Sequence, residues 1–333
     1  MLFLFLTFSF CWWDTGHYII ARIAQLQITP EQNQWITDLF SLWPDEAGDI
    51  VNMSAWQDTI SGSHYQIRTM RTWHYSDEPY IIEPSDQANI PPICYNVTNI
   101  CNEAMQFLLD ETTTSPWSLS FGLRSFVHFL GDAHQPMHSV ALFSNNFTTG
   151  DAGGNLYYFD SQFGANAAQL HKIWDNAGLS YQFLKPLETF EANVSLLLKT
   201  HPKSKYKDLI YDENPYHWVL ESFEDSKRVA YTAKMNEKLE QSYLQKVRDT
   251  SNDRIVLAGY RLGHFLNKFF EKRGIPRLYT PFSKSCTKVK VSEIVAWIID
   301  GICVAYLILD KVLALRSSPI VQKTSTMPIL AES

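Results

Sequence analysis

The spacing of apolar positions is helical along most of the chain. Apolar residues recur three and four positions apart, which places them on one face of an α-helix. This pattern predicts eight helices, at residues 16–26, 31–42, 102–110, 119–133, 167–177, 185–199, 216–235 and 254–272. A β pattern occurs only at 153–159, where we expect a small β-hairpin or an extended strand. We therefore predict an all-α fold in a single domain over residues 12–275.

The two ends of the chain differ from this body. Residues 1–11 form a short apolar run ending at Cys11, which predicts a secretory signal peptide cleaved after that residue, with a buried strand as the alternative. A polar, basic linker at 276–293 is followed by an apolar run that predicts a transmembrane helix over 294–315 and a tail at 316–333. The alternative for this run is an amphipathic helix packed on the body or on a partner. We expect a protein of the secretory pathway, either extracellular or anchored at the cell surface.

Charge narrows the ways in which this chain can bind a substrate. The 333 residues carry a formal net charge of −7, and the lysines and arginines form no stripe. A protein that holds nucleic acid through basic side chains alone has a clustered positive surface, so this class is disfavoured. Affinity for phosphate would need another source of positive charge.

Cysteines and glycosylation signals agree with an oxidising compartment. Cys94 and Cys101 bracket a short loop and are the best candidates for a disulfide. Acceptor sequons predict glycosylation at Asn96, Asn146 and Asn193.

The candidate chemistry is concentrated in the stretch from Ser125 to His138. His128 and Asp132 are four residues apart, so a helix places them on one face, where both can bind one metal ion. Pro136 should end this helix, because a proline disfavours helical dihedrals at the residue before it. His138 follows on the turn beyond and can point towards a second ion.

Further candidate ligands lie elsewhere in the chain. His171 and Asp175 repeat the spacing of four, and the N-terminal half adds Asp58, His74, His17 and the α-amine and carbonyl oxygen that cleavage would expose at Trp12. Imidazole with carboxylate suits zinc, while ligand type alone leaves manganese and iron open. Five histidines and three aspartates exceed the ligands of one catalytic zinc, so at least two ions are expected.

Six motifs in this order resemble the zinc-dependent class I nucleases: single-strand-specific fungal nucleases of the S-one and P-one type, plant bifunctional nucleases and protist 3′-nucleotidase/nucleases. The likeness runs from Trp12 to about Phe270. The motifs are Trp12…Gly16-His17, Trp56-Gln-Asp58, Trp73-His74, His128-Phe-Leu-Gly-Asp132-x-x-Gln-Pro-x-His138, Asp151-x-Gly-Gly-Asn155 and Leu170-His171-x-x-Trp174-Asp175.

The resemblance implies a helical fold shared with zinc phospholipase C and a cluster of three Zn²⁺ ions. By position, the first zinc would be held by Asp58, His74, His128 and Asp132. The second would be held by Trp12 and His17, with Asp132 bridging the two ions. The third would be held by His138, His171 and Asp175.

The resemblance also implies a base-binding pair beside the cluster. By position, Tyr75 would stack on a base and Asp77 would hydrogen-bond to it, although Tyr75 could instead be a core aromatic residue. Two positions depart from the family. Ser61 stands where the family commonly has a basic residue that stabilises charge on the phosphate, and Trp13 replaces a glycine.

The expected activity is hydrolysis of single-stranded DNA or RNA to 5′-nucleotides, with 3′-nucleotidase activity, by a zinc-bound hydroxide that Asp58 orients or deprotonates. The substrates would be single-stranded nucleic acid and 3′-nucleotides, and we expect a monomer. Two alternatives remain: a phospholipase C-type phosphodiesterase on the same fold, and a non-catalytic zinc-binding surface protein. A base-binding pair at Tyr75 and Asp77 favours the nuclease over the phospholipase.

Overall fold

The computed structural model describes residue 12, residue 90 and residues 14–43, 47–61, 67–82, 95–160, 168–181 and 187–278. In these residues the α-helices are α1 Asp14–Gln25, α2 Pro30–Ser41, α3 Ile50–Met53, α4 Trp56–Ser61, α5 Val97–Leu109, α6 Pro116–Ala133, α7 Leu170–Asp175, α8 Leu187–Thr200, α9 Pro215–Arg228 and α10 Gln241–Arg273. The strands are β1 Glu78–Ile81 and β2 Val140–Phe143. The protein is mostly helical, as predicted.

Local sequence signals set the ends of the main helices. Thr29 caps α2 by accepting a hydrogen bond from the backbone of Gln32, whose side chain accepts one from Thr29 in return. At the start of α6 the Ser115 side chain caps the first turn and a proline follows at the first helical position. That helix ends at Ala133, and Pro136 opens a short 3₁₀ helix, Pro136–His138. The predicted end of the helix before Pro136 is confirmed.

The prediction was least accurate for short and for strongly polar helical segments. α3 and α4 were missed because one turn of helix is too short to show a periodic apolar pattern. α10 begins at Gln241, well before the predicted start at residue 254. Its first turns are mostly exposed, and only Tyr243, Leu244 and Val247 face the core there.

The small β element is present, but it is not the predicted hairpin. β1 and β2 pair in parallel, with Glu78 opposite Val140, so the sheet joins two distant parts of the chain. Residues 153–159 instead form turns with one isolated antiparallel bridge, from Tyr158 to Gln169. The physical reason is the backbone at Gly153, whose φ of 61° is incompatible with a strand.

α6 is the central helix of the described fold. Every residue from Gly122 to Ala133 is buried, which explains why apolar residues occur on several sides of this segment rather than on one stripe, with the polar Arg124, Ser125, His128 and Asp132 enclosed among them. α1 and α10 pack closely on each other and contact α6 as well. The ligand-bearing helix therefore has core packing on several sides.

Several predictions concern the ends of the chain. Residues 1–11 and the predicted span 294–315 lie outside the described residues, so the signal peptide and the membrane helix stay predictions. Within the described part, every helix is too short or too polar to cross a bilayer. The chain divides into two units, 1–278 and 279–333, and all of the second lies outside the described residues.

The structure describes one of the two cysteines of the predicted disulfide. Cys101 lies on the buried face of α5, and its thiol is free. Its proposed partner, Cys94, lies outside the described residues. The Cys94–Cys101 bridge therefore stays a prediction.

The close packing of α1 on α10 generates a stability prediction at Gly259. A Cβ atom added there would lie 2.6 Å from Cβ of Ile23 and 3.1 Å from the Ile20 carbonyl oxygen. Gly259→Ala should therefore lower the free energy of unfolding by about 1–3 kcal/mol through overpacking. Urea unfolding followed by circular dichroism measures this. Lys246→Ala, on the exposed face of the same helix, should stay within about 0.5 kcal/mol of the wild type, and equal effects of the two substitutions would contradict the prediction.

Candidate metal centre

α6 supplies the central pair of polar side chains, His128 and Asp132. Their spacing of one helical turn brings Nε2 of His128 to 3.2 Å from Oδ2 of Asp132, and both residues are fully buried. The 3₁₀ helix after α6 turns the chain so that His138 also approaches Asp132, with Nδ1 at 3.4 Å from Oδ1. One continuous segment thus contributes three of the predicted ligands.

The first group of side chains forms around His128 and Asp132. His74, at the end of the 3₁₀ helix Arg68–His74, places Nδ1 at 3.0 Å from Oδ2 of Asp132 and 3.2 Å from Nε2 of His128. Oδ1 of Asp58, on α4, lies 3.7 Å from each of these two imidazole nitrogens. The structure therefore brings together all four residues predicted for the first zinc.

The second group lies on the other oxygen of Asp132. Nε2 of His17, on α1, is 3.5 Å from Oδ1, and the His17 ring stacks on His128 with centroids 4.1 Å apart. Trp12 is fully buried, and its indole Nε1 donates a hydrogen bond of 3.0 Å to the Gly131 carbonyl oxygen. Asp132 thus presents one oxygen to His17 and the other to His74 and His128, an arrangement suited to a bridging carboxylate.

The third group combines His138 with the pair on α7. Nε2 of His171 lies 3.5 Å from Oδ2 of Asp175, and Nε2 of His138 lies 3.9 Å from Oδ1 of the same carboxylate. The two imidazole rings stack with centroids 5.1 Å apart. Liganding atoms of His138, His171 and Asp175 all lie within 4.8 Å of one another, close enough to share one ion.

Backbone carbonyl oxygens fix the orientation of three of these imidazoles. Each ring has Nδ1 within hydrogen-bonding distance of one carbonyl oxygen: His128 with Ser54 at 2.8 Å, His138 with His74 at 2.9 Å and His171 with Gly153 at 2.6 Å. Such a bond holds the proton on Nδ1 and leaves Nε2 free to bind a metal. Sequence analysis missed these acceptors, because every residue carries a carbonyl group and only the fold selects which one is used.

Several buried atoms of the centre have no hydrogen-bond partner among the described residues. They are both ring nitrogens of His17, Nε2 of His138 and Oδ2 of Asp175. A buried polar atom without a partner costs about 1–3 kcal/mol. Nε2 of His17, Nε2 of His138 and Oδ2 of Asp175 each approach another member of the groups described above. Since imidazole with carboxylate is also a typical donor set for zinc, the residues present fit bound metal ions.

The electrostatics follow from burying many charges in one place. Burial disfavours the Asp132 carboxylate, but the neighbouring His128 and His138 outweigh it and hold the pKa of Asp132 well below its usual range. Burial likewise opposes charge on His128, yet Asp132 and Asp58 raise the pKa of His128 to about 9. Burial raises the pKa of the Asp175 carboxyl well above its ordinary value. In the metal-free centre, the raised pKa values of His128 and Asp175 therefore favour the protonated forms of these two side chains.

The two residues predicted to bind a base lie at the edge of the centre. Tyr75 directly follows His74, and the chain is held there by a bond of 2.7 Å from the Ser76 amide to the His138 carbonyl oxygen. Asp77 is half-buried with a φ of 56°, an uncommon conformation for a residue other than glycine. Burial and the nearby Asp151 raise the pKa of Asp77 to about 7. The strained backbone and perturbed carboxyl are typical of a functional position.

His134, inside the same stretch, points away from the centre. Its Nδ1 lies 2.7 Å from the Leu130 carbonyl oxygen, and its Nε2 accepts a hydrogen bond of 2.8 Å from Arg261 on α10. Burial and the Arg261 charge hold the pKa of His134 well below its usual range. A neutral imidazole that accepts from Arg261 and lies 2.7 Å from the Leu130 carbonyl oxygen joins α6 to α10, which is a structural role.

Gln135 is a supporting residue that sequence analysis missed. Its side-chain amide donates a hydrogen bond of 2.6 Å to Oδ1 of Asp175, and its side-chain oxygen accepts from the Met137 backbone. Gln135 is fully buried. By holding one carboxylate oxygen, it leaves Oδ2 of Asp175 directed towards His171. The signal was present, since Gln135 lies between two predicted ligands, but a glutamine is not itself a typical zinc ligand.

Removing the Gln135 amide should loosen the third group of ligands. Gln135→Leu should lower affinity for the ion at His138, His171 and Asp175 about 10–100-fold, as loss of such supporting bonds typically does. Metal content after dialysis against graded chelator measures this. Gln27→Leu removes a half-buried amide that bonds only to backbone carbonyls away from the ligands, so it should leave metal content unchanged. Equal metal retention in Gln135→Leu and the wild type would contradict this role.

The raised pKa of His128 predicts an unusual pH dependence of metal uptake. In the metal-free protein His128 keeps its proton up to about pH 9, whereas an ordinary histidine loses it near pH 6.5. A metal binds only the neutral ring, so affinity should continue to rise from pH 7 to pH 9, with proton release on binding. Titration with a competing chelator at several pH values measures this. Asp58→Asn, which removes one carboxylate near His128, should lower the pH at which affinity levels off; affinity that is constant above pH 7 in the wild type would contradict the assignment.

Comparison with known proteins places these motifs in one family. The family model described as S1/P1 Nuclease matches residues 12–271. Endonuclease 1 of Arabidopsis thaliana is 27% identical over 282 residues, covering 78% of this chain and 87% of that protein. Nuclease S1 of Aspergillus oryzae is 24% identical over 289 residues, covering 78% and 92% respectively.

A second plant protein matches over a shorter part. Endonuclease 4 of Arabidopsis thaliana is 28% identical over 178 residues, covering 50% of this chain and 55% of that protein. The family match includes every residue of the three ligand groups, from Trp12 to Asp175. The chain belongs to the S1/P1 nuclease family.

Proposed function

We propose that this protein is a zinc-dependent phosphodiesterase that hydrolyses single-stranded DNA and RNA to 5′-nucleotides and also removes phosphate from 3′-nucleotides. The observation that carries the proposal is the junction of three His/Asp groups around Asp132. Membership of the S1/P1 nuclease family, together with relatives named endonucleases and nucleases, supports the nuclease class.

We propose three Zn²⁺ ions as the cofactor. The first would be held by Asp58, His74, His128 and Asp132, the second by Trp12, His17 and Asp132, and the third by His138, His171 and Asp175. When bound, such ions supply Lewis acidity that activates water and stabilises charge on a phosphate. Three divalent cations also exceed the three aspartates in charge, so the centre would be locally positive within an acidic chain.

The side chains around the centre would have two further roles: activating the attacking water and binding a base of the substrate. Asp58 has a side chain that is 16% exposed, whereas Asp132 and Asp175 are almost fully enclosed. We therefore assign Asp58 to orient or deprotonate the attacking water, because it alone of the three carboxylates reaches solvent. Tyr75 would stack on a base and Asp77 would hydrogen-bond to it, which requires an unpaired base with a free face.

Ser61 affects the rate expected of this centre. Its hydroxyl lies 3.3 Å from Nε2 of His74 and donates to the Gln57 carbonyl oxygen, so the side chain is buried and uncharged. It cannot balance negative charge on a phosphate. Basic residues closest in sequence are Arg68, which is exposed, and Arg71, which is half-buried, both on the 3₁₀ helix that ends at His74. We expect slower turnover than in relatives that keep a basic residue at this position.

We further propose that the protein is a secreted or surface-anchored monomer. Asn146 is exposed and accessible for glycosylation. Asn96 is half-buried and caps α5, while Asn193 is half-buried on α8 and donates to the Thr189 carbonyl oxygen. A glycan on either of these two residues would have to displace the contacts that its amide now makes. N-terminal sequencing of the natural protein tests whether it begins at Trp12.

Asp132→Ala tests the whole centre. Because the carboxylate contacts members of all three groups, its loss should abolish cleavage of single-stranded DNA and RNA and lower bound zinc by at least one ion per chain. The measurements are a nuclease assay and metal analysis by mass spectrometry. Asp249→Ala removes an exposed carboxylate on α10 and should retain full activity and metal.

Three outcomes would contradict the proposal. Full activity with fewer than two zinc ions per chain would remove the cluster as the catalyst. Hydrolysis of phosphatidylcholine without hydrolysis of nucleic acid would assign the centre to a phospholipase. Bound zinc without hydrolysis of either substrate would leave a non-catalytic zinc-binding protein.

A further inference from the structure

An exposed aromatic stripe lies at the N-terminal end of α6. Trp117 is 58% exposed, and its indole stacks on the ring of Phe121 with centroids 5.5 Å apart and planes only 10° from parallel. The Phe121 ring meets the ring of Trp56 edge-on at 5.9 Å. We call Trp117, Phe121 and Trp56 the aromatic stripe.

The aromatic stripe continues the face of α6 that carries the metal ligands. Phe121 precedes His128 by seven residues, nearly two whole turns, which puts the two side chains on one face about 10 Å apart along the axis. Trp117 is one turn further out, about 16 Å from His128 along the axis. Trp117 and Phe121 therefore lie in line with His128 and Asp132 on α6.

Residues 54–57, at the start of α4 and just before it, contact α6 along the same face. Going outward along α6, His128 binds the Ser54 carbonyl, Ser125 accepts a hydrogen bond from Gln57, and Phe121 contacts Trp56. α4 also carries Asp58 of the centre. α6 and α4 thus each carry ligands of the metal centre and rings of the aromatic stripe, so both sets of side chains are held by the same pair of helices.

The stripe is rigid on one side and open on the other. The buried Arg124 guanidinium lies 5.2 Å from the Trp56 ring centroid and donates to the Phe40 carbonyl oxygen, which fixes the inner end of the stripe. Phe121 covers one face of the Trp117 indole. Since that indole is more than half exposed, its second face is open to solvent. A large ring held in place with one free face is the form that base-stacking platforms take.

We propose that the aromatic stripe is a second base-binding subsite, where a base of a single-stranded nucleic acid stacks on the free face of Trp117 while another part of the strand occupies the metal centre. This inference rests on the proposed nuclease function. Stacking needs no base-specific hydrogen bond, so the subsite is tolerant of sequence and rejects paired bases. It also needs no basic surface, which suits a chain with a net charge of −7. Strands long enough to reach Trp117 bind more tightly than dinucleotides.

The test compares substrates of two lengths. For a single-stranded oligonucleotide of about ten nucleotides, Trp117→Ala should raise KM roughly tenfold, while KM for a dinucleotide and kcat for both substrates stay unchanged. Trp117→Phe keeps an aromatic face and should lose little, whereas Trp117→Leu keeps apolar area without such a face and should resemble the alanine variant. Leu196→Ala, at an equally exposed position on α8, is the control for loss of an exposed apolar side chain and should change neither substrate.

Several results would overturn the subsite. They are an unchanged KM for the oligonucleotide in Trp117→Ala, an equal rise in KM for both lengths, and equal behaviour of the phenylalanine and leucine variants. Failure of the proposed function looks different, because the wild type would then cleave neither substrate. In that case, anisotropy of a fluorescently labelled, phosphorothioate-linked oligonucleotide still decides the inference: binding that weakens roughly tenfold in Trp117→Ala but not in Leu196→Ala supports the subsite, and binding that is absent or unchanged rejects it.

Discussion

The buried carboxylate of Asp132 is the interaction on which the site depends. It is fully enclosed and lies within 3.5 Å of nitrogen atoms from four histidines, His17, His74, His128 and His138. An isolated carboxylate in such a place would be strongly disfavoured, because burial removes its hydration. Positively charged groups must therefore lie close to both oxygen atoms of the Asp132 carboxylate. Protons on neighbouring histidines can supply it in part, but metal ions supply it without leaving buried nitrogen atoms unpaired.

This requirement explains why the central helix is built as it is. α6 must be surrounded by other elements so that water is excluded, and those same elements must each bring a ligand: α1 brings His17, α4 brings Asp58 and the helix before β1 brings His74. Each of these elements must pack closely against α6 for its ligand to reach Asp132. A Cβ atom at Gly131 would lie 2.8 Å from Nδ1 of His17, so any larger residue there would push α1 and its histidine away from Asp132. The close packing of the core and the positions of the ligands around Asp132 therefore depend on the same contacts.

Whether the sequence could predict an interaction depended on how far apart in the chain its residues lie. The pairs His128/Asp132 and His171/Asp175 are local, since helical geometry alone fixes their spacing, and family resemblance supplied the order in which distant ligands combine. The parallel pairing of β1 with β2 was missed because it joins segments far apart in the chain, and a positive φ at Gly153 excludes the strand that the local pattern indicated. The bond from Gln135 to Asp175 and the carbonyl acceptors of the histidines depend on tertiary contacts between residues without a distinctive pattern.

A chain with a net negative charge repels a polyanion such as a nucleic acid, so any attraction must come from a local part of its surface. Basic side chains spread over a surface would bind duplex and single strand alike, because both carry phosphates. A compact positive centre acts over a short distance, since salt screens charge beyond about 10 Å. Beyond that distance, contacts with the bases themselves can hold a strand without basic side chains, and a base exposes its face only when it is unpaired. At the proposed subsite, an exposed ring such as Trp117 would add affinity and select for single strands by the same contact, whereas added lysines would add affinity without selection.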